Sequence, residues 1–139
     1  MENCIFCKII NREIPGHILF ENEYVLAFLD ISQTTKGHTL VIPKIHVEDV
    51  FSMSEMAMSE VHRIIPRLAS ALKETMGANG MNIVNNNGTV AGQTVFHYHV
   101  HLIPRYEDND GFKCVYTNNI ENYTADELAA IKETVLASL

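Results

Sequence analysis

The chain has 139 residues, 47% hydrophobic and 19% charged, with a formal net charge of −7. That length suffices for a self-supporting core, so neither a disulfide nor a metal is needed merely to fold, and we expect a single domain over residues 1–139. The acidic balance argues against a nucleic-acid partner, because phosphate backbones require a basic surface, but one small phosphate-bearing ligand needs only a local site.

The N-terminal stretch "MENCIFCKII" lacks the architecture of a signal peptide. No apolar run approaches the roughly 20 residues that span a bilayer. Three cysteines cannot all pair within one chain, which fits a reducing compartment. These features predict a cytoplasmic protein with no membrane partner.

In chain order, "HILFEN" and "YVLAFLD" read as two short strands forming a hairpin around Glu21 to Glu23. "TKGH" is a turn, and "HTLVIP" is a third strand stopped by Pro43. Residues 52–76 read as the main helix. Ser52 and Glu55 have capping-box spacing. Val61, Ile64, Ile65, Leu68, Leu72 and Met76 form one apolar stripe. Pro66 predicts a kink inside it, and Gly77 a C-terminal stop. "MNIVN" is a fourth strand, "NNNGTVAG" a loop, and residues 94–103 a fifth strand. Thr124 and Glu127 form another capping box, opening a C-terminal helix with Leu128, Ile131, Val135 and Leu139 on one face. Runs of strands joined by turns, with helices inserted and appended, predict an α+β fold. Its five-stranded, mostly antiparallel sheet would carry one long central helix and a C-terminal helix.

The chemistry concentrates in "TVFHYHVHLIPR", residues 94–105. Strand alternation puts His97, His99 and His101 on one face, each about 6.6 Å from the next. Phe96, Tyr98, Val100 and Leu102 would pack under a helix on the other. Threonine, lysine or glutamate would serve a solvent face without histidine's reactivity near neutral pH, so a functional cluster is the better reading. Just upstream, "AGQTV" offers Gly92 and Thr94 on a loop suited to an anion-binding nest of backbone N–H groups. Cys4 and Cys7 form C-x-x-C, open to a redox, metal or packing role. The surrounding pattern is not thioredoxin-like, which weakens the redox reading.

"HYHVHLI" follows the pattern H-φ-H-φ-H-φ-φ. With "CIFCKII", "LAFLDIS", "GHTLVIPKIH" and "NNNGTVAGQTVFHYHVH", the chain resembles the histidine triad (HIT) family, in its Hint-type branch, over roughly residues 4–105. The resemblance implies a HIT-like fold and a purine nucleotide substrate cleaved at its α-phosphate. His99 would be the nucleophile, forming a covalent nucleotidyl-histidine. A backbone carbonyl such as that of His97 would hold its other ring nitrogen. His101 and His38 would contact the phosphate and assist the leaving group. Asp30 would accept from the ribose hydroxyls. Ile5, Phe6, Phe28 and Ile31 would form an apolar slot for the base. Asn86, Gly92, Gln93, Thr94 and Val95 would surround ribose and phosphates.

Some branches of the family carry a structural zinc, and the matching positions are Cys4, Cys7, His46 and His97. A closed tetrahedral site of that kind leaves no position for catalysis. The branch also implies a homodimer. Two other readings share these residues: a dinucleoside polyphosphate hydrolase, and a zinc-stabilised nucleotide-binding module with little turnover. His17 and His62 are expected at the surface, and Cys114 as a free thiol without a role.

Overall fold

The computed structural model describes residues 3–139. Five strands form one sheet in the order β1-β2-β3-β5-β4, with every neighbouring pair antiparallel. β1 (Ile18–Glu21) and β2 (Val25–Leu29) make the expected hairpin. Asn22 closes it: its side-chain oxygen accepts from the backbone N–H groups of Tyr24 at 2.9 Å and Val25 at 2.8 Å. β3 (Thr39–Pro43) lies centrally, between β2 and β5 (Val100–Arg105), and β4 (Gly80–Val84) forms the edge.

β2 and β3 are apolar at successive positions because both faces of the sheet are covered. Val25, Ala27 and Val41 face one core, with Val61, Ile64, Ile65, Leu68 and Leu72 packed above them. Leu26, Phe28, Leu40 and Ile42 face the other core, beneath Phe6 and Ile9. Those two residues belong to α1 (Ile5–Ile10), a short helix not anticipated from the sequence. Six residues give too little periodicity to detect. The helix is held by Cys4, whose sulfur accepts from the Cys7 N–H, and by burial of Phe6 and Ile9.

The single helix expected over 52–76 is two helices, α2 (Glu55–Arg63) and α3 (Ile65–Met76), meeting at Ile64. Pro66 is the cause. It has no N–H to donate and is tolerated only in a helix's first turn, so α3 starts there. The N-cap of α2 is Ser54, not Ser52. Ser52 instead bonds Asp49, which caps the 3₁₀ turn Val50–Ser52. Gly77 ends α3 in the left-handed region, at φ 70°.

The fifth strand also differs from expectation. It starts at Val100, and residues 94–99 approach it as irregular chain. Side-chain alternation persists nevertheless, with Tyr98, Val100 and Leu102 under α2 and α3 as expected. Phe96 lies outside the ladder and is 46% exposed, not packed under a helix. α4 (Ala125–Leu136) has the expected Thr124–Glu127 capping box. It stops before Leu139, so only Leu128, Ile131 and Val135 of the expected row lie on it. No helix among the described residues is long and apolar enough to cross a membrane.

Candidate active site and metal centre

The histidine face lies on the α1 side of the sheet. Phe6 sets its edge against both His97 and His99, with ring centroids 5.8 and 5.2 Å away. His97 and His99 are buried, and His101, in β5, stands opposite Leu40 of β3. His38 enters from the residue before β3.

Hydrogen bonds separate the histidines into different tasks. His99 Nδ1 lies 2.7 Å from the carbonyl oxygen of His97. A carbonyl only accepts, so Nδ1 carries the proton and Nε2 keeps its lone pair. The expectation of such a carbonyl is met at His97 itself. Asn85 donates its amide to the carbonyl of His99 at 2.8 Å, fixing the backbone on that side. His38 Nε2 and His101 Nδ1 are 2.9 Å apart. The Thr34 N–H approaches His38 Nδ1 at 3.4 Å, which assigns the His38 proton to Nε2. His101 Nδ1 then accepts, and its Nε2 bears a proton. Burial holds His99 and His38 below the ordinary histidine range, and it brings His101 down to about 4, helped by the neighbouring His99 and His38. The three rings are therefore neutral near pH 7.

Asp30 closes the group, with Oδ2 3.8 Å from His38 Nε2. Burial pushes its carboxyl up. The Ser32 N–H and hydroxyl, both bonded to Oδ1, and the His38 ring outweigh that and leave it below its ordinary value. Gln33 ties the loop together, donating to the carbonyls of Asp30 and His38 at 2.7 and 2.8 Å. Neither Gln33 nor Asn85 was singled out from sequence. Each works through backbone groups, and a scaffold role of that kind leaves no motif.

Asp30, Phe6, Phe28, Ile5, Ile31 and Val95 line a cavity of about 270 Å³, joined by Ile9, Ile14 and Leu40, which the sequence reading omitted. Ile31 is 93% exposed, so it stands at the mouth and does not form an inner wall. The loop residues divide. Gln93 is buried and turns inward: its amide donates to the Glu48 carbonyl at 2.7 Å and its oxygen accepts from Gly88 N–H at 2.7 Å. Its side chain braces the loop and is not offered to a ligand. Gly92 adopts φ 88°, and a Cβ there would come within 3.8 Å of the Asn86 side chain. Its conformation is what demands glycine. Thr94 is exposed and lines a second cavity of about 380 Å³ with His46, Glu48 and Phe96.

Cys4, Cys7, His46 and His97 bring their ligating atoms within 4.8 Å of one another. The Sγ–Nδ1 distances are 3.5 Å (Cys4–His97), 3.6 Å (Cys7–His97) and 3.3 Å (Cys7–His46). A tetrahedral zinc with ordinary Zn–S and Zn–N bonds sets such edges at about 3.5 Å. His97 Nε2 donates to the Pro43 carbonyl at 2.9 Å, which leaves Nδ1 unprotonated and turned to the thiols. The donor set and its spacing fit zinc. Burial, then Cys4, pushes the Cys7 thiol up to about 11, and a cation between the sulfurs would reverse that. His17 and His62 are exposed as expected, although His62 Nε2 lies 3.2 Å from the Tyr98 hydroxyl. Cys114 is exposed and free.

The HIT domain model matches residues 11–108. A HIT family protein from Bacillus anthracis superposes with a TM-score of 0.97 at 50% identity, covering 99% of this chain and 98% of its own. The adenosine 5′-monophosphoramidase of Saccharomyces cerevisiae is 38% identical over 136 residues, 98% of this chain and 82% of the yeast protein. A zinc-bound histidine triad family protein from Mycobacterium smegmatis aligns with a TM-score of 0.76 at 33% identity, covering 96% and 98% of the two chains. With the triad geometry and these matches together, the chain belongs to the histidine triad (HIT) family.

Proposed function

We propose that the protein hydrolyses purine nucleoside 5′-monophosphate derivatives at the α-phosphate, with adenosine phosphoramidates as the substrate class. The observation that carries this is the placement of His99: its ring is oriented by the 2.7 Å bond to His97 O, next to the His38–His101 pair, and packs edge-on against Phe6, which lines the apolar cavity. Membership of a family that includes a named adenosine 5′-monophosphoramidase supports the substrate class.

In this reading the base enters the cavity and Asp30 accepts from the ribose hydroxyls. His99 Nε2 attacks phosphorus; the new N–P bond forms as the P–N bond to the amine breaks. His101 delivers its Nε2 proton to the departing amine as the His38 Nε2 proton moves onto His101 Nδ1 and solvent reprotonates His38, so neither ring is left anionic. The His97 carbonyl steadies the positive charge on the substituted imidazole. Water then attacks phosphorus, His101 takes the proton, and the nucleotide is released with His99 restored. Cys4, Cys7, His46 and His97 would hold a structural zinc, which pins α1 to the residues preceding β5 and so fixes the carbonyl that orients His99. The protein would act in the cytoplasm as a homodimer, as one domain.

The test is rapid quench of wild type and His99→Ala with a radiolabelled adenosine phosphoramidate. Wild type should form a nucleotidyl-enzyme and release AMP. His99→Ala should form none, with kcat down by more than about 10³. Full activity in the variant would end this mechanism.

A further inference from the structure

Asp30, His38 and His101 draw a second ring of metal-ligating atoms together, independent of the cysteine cluster. Their nitrogens and oxygen all lie within 4.8 Å of one another. None of the three belongs to the Cys4, Cys7, His46, His97 set, so one site can fill without the other. We propose that these three residues form a reversible binding site for a borderline transition-metal ion such as Zn²⁺ or Co²⁺, occupied in competition with a phosphate-bearing ligand.

The geometry is close to what such an ion needs. A tetrahedral ion with bonds of about 2.0–2.1 Å holds its ligand atoms about 3.3 Å apart. His38 Nε2 and His101 Nδ1 are at 2.9 Å, and Asp30 Oδ2 and His38 Nε2 at 3.8 Å. Those two values lie on either side of the target, and the third pair, Asp30 and His101, is within 4.8 Å. Ser32 binds Asp30 through Oδ1, which leaves Oδ2 as the oxygen facing His38. The imidazoles are neutral near pH 7, so no proton has to be lost: as the ion enters, His38 changes tautomer, its proton moving from Nε2 to Nδ1 in place of the weak 3.4 Å contact from the Thr34 N–H.

Two imidazoles and one carboxylate select Zn²⁺, Co²⁺ or Cu²⁺ over Mg²⁺ and Ca²⁺, which prefer all-oxygen shells. Three protein ligands leave a fourth position for water. The ion would occupy the lone pairs of His38 and His101 and block Asp30, so it would silence the enzyme. That consequence rests on the function proposed above; the binding claim does not.

The as-purified protein would be titrated with Co²⁺ under visible absorption and calorimetry. Any Co²⁺ reaching Cys4 and Cys7 shows thiolate charge-transfer bands, so this site is read from d–d bands that lack them. About one such Co²⁺ per chain should bind, and Asp30→Asn or His101→Gln should weaken it at least about tenfold. Asp30 is partly exposed, so its substitution leaves the fold to report. Mg²⁺ should not compete, whereas AMP should. Absence of a thiolate-free cobalt phase, or an unchanged affinity in both variants, would overturn the proposal. Cobalt binding in a protein that turns over no phosphoramidate would leave the metal site standing and refute the enzymatic reading.

Discussion

His99 has one ring nitrogen committed to a backbone carbonyl and the other holding a lone pair, while burial opposes protonation of the ring. Its nucleophilic form therefore survives below the ordinary histidine pKa. We expect kcat/KM on a phosphoramidate to be flat from about pH 6.5 upward and to fall only below it. A steady-state pH profile checks this, and an acid limb at or above pH 6.5 would refute it. The same burial couples stability to pH. The folded pKa of His101 is about 4 against 6.5 in the unfolded chain, so the unfolded state binds more protons between those values. This contribution is fully present above pH 6.5 and is lost as pH falls toward 4. At most it is about 3 kcal/mol. Urea midpoints should therefore drop between pH 7 and pH 5, and drop less in His101→Gln.

The short helix α1 links packing to chemistry. Phe6 is 6% exposed, meets Phe28 edge-on at 5.7 Å, touches two histidines and walls the cavity. Phe6→Ala should cost about 3–5 kcal/mol in urea unfolding and raise KM more than it lowers kcat, because it removes a wall and leaves the nucleophile. Element scale is also where sequence reasoning was uneven. The hairpin, β3, Gly77 and the Thr124 cap were legible, since each rests on local turn, cap or alternation chemistry. The break at Pro66 was legible as a kink but not as two separate helices. The start of β5 was misplaced because alternation outlasts ladder pairing: Tyr98 N–H bonds the Val47 carbonyl at 2.6 Å, a loop partner.

For the whole molecule, the cysteine cluster ties the N-terminal segment to the central histidines, while the C-terminal segment has no core of its own. We expect about one zinc per chain by metal analysis. Cys4→Ser/Cys7→Ser should lose the metal, with Tm lower by roughly 10 °C. A metal-free wild type would leave these residues as packing. Every residue from Lys113 to Leu139 is exposed. Leu128, Ile131, Val135 and Leu136 form an uncovered apolar stripe along α4. A second copy of the chain is the proposed cover. Leu128→Asp/Ile131→Asp should then shift the mass by light scattering from dimer to monomer, and an unchanged mass would remove α4 from the interface.

Residue types and spacing by themselves determined the α+β class, the placing of His97, His99 and His101 on one face and the Cys-x-x-Cys pair, while the resemblance to the HIT family supplied the grouping of His97 with Cys4, Cys7 and His46 and the role of Asp30. The former are properties of local pattern, because side-chain chemistry and strand alternation act over a few residues. Tertiary structure alone decided the tautomers, the inward turn of Gln93, the exposure of Ile31 and Phe96, and the bracing by Gln33 and Asn85. It also brought Asp30, His38 and His101 within ligating distance. Such features depend on which atoms meet from positions far apart in the chain, as His38 and His101 do at a separation of 63 residues. No short-range pattern records where a distant carbonyl or ring will stand.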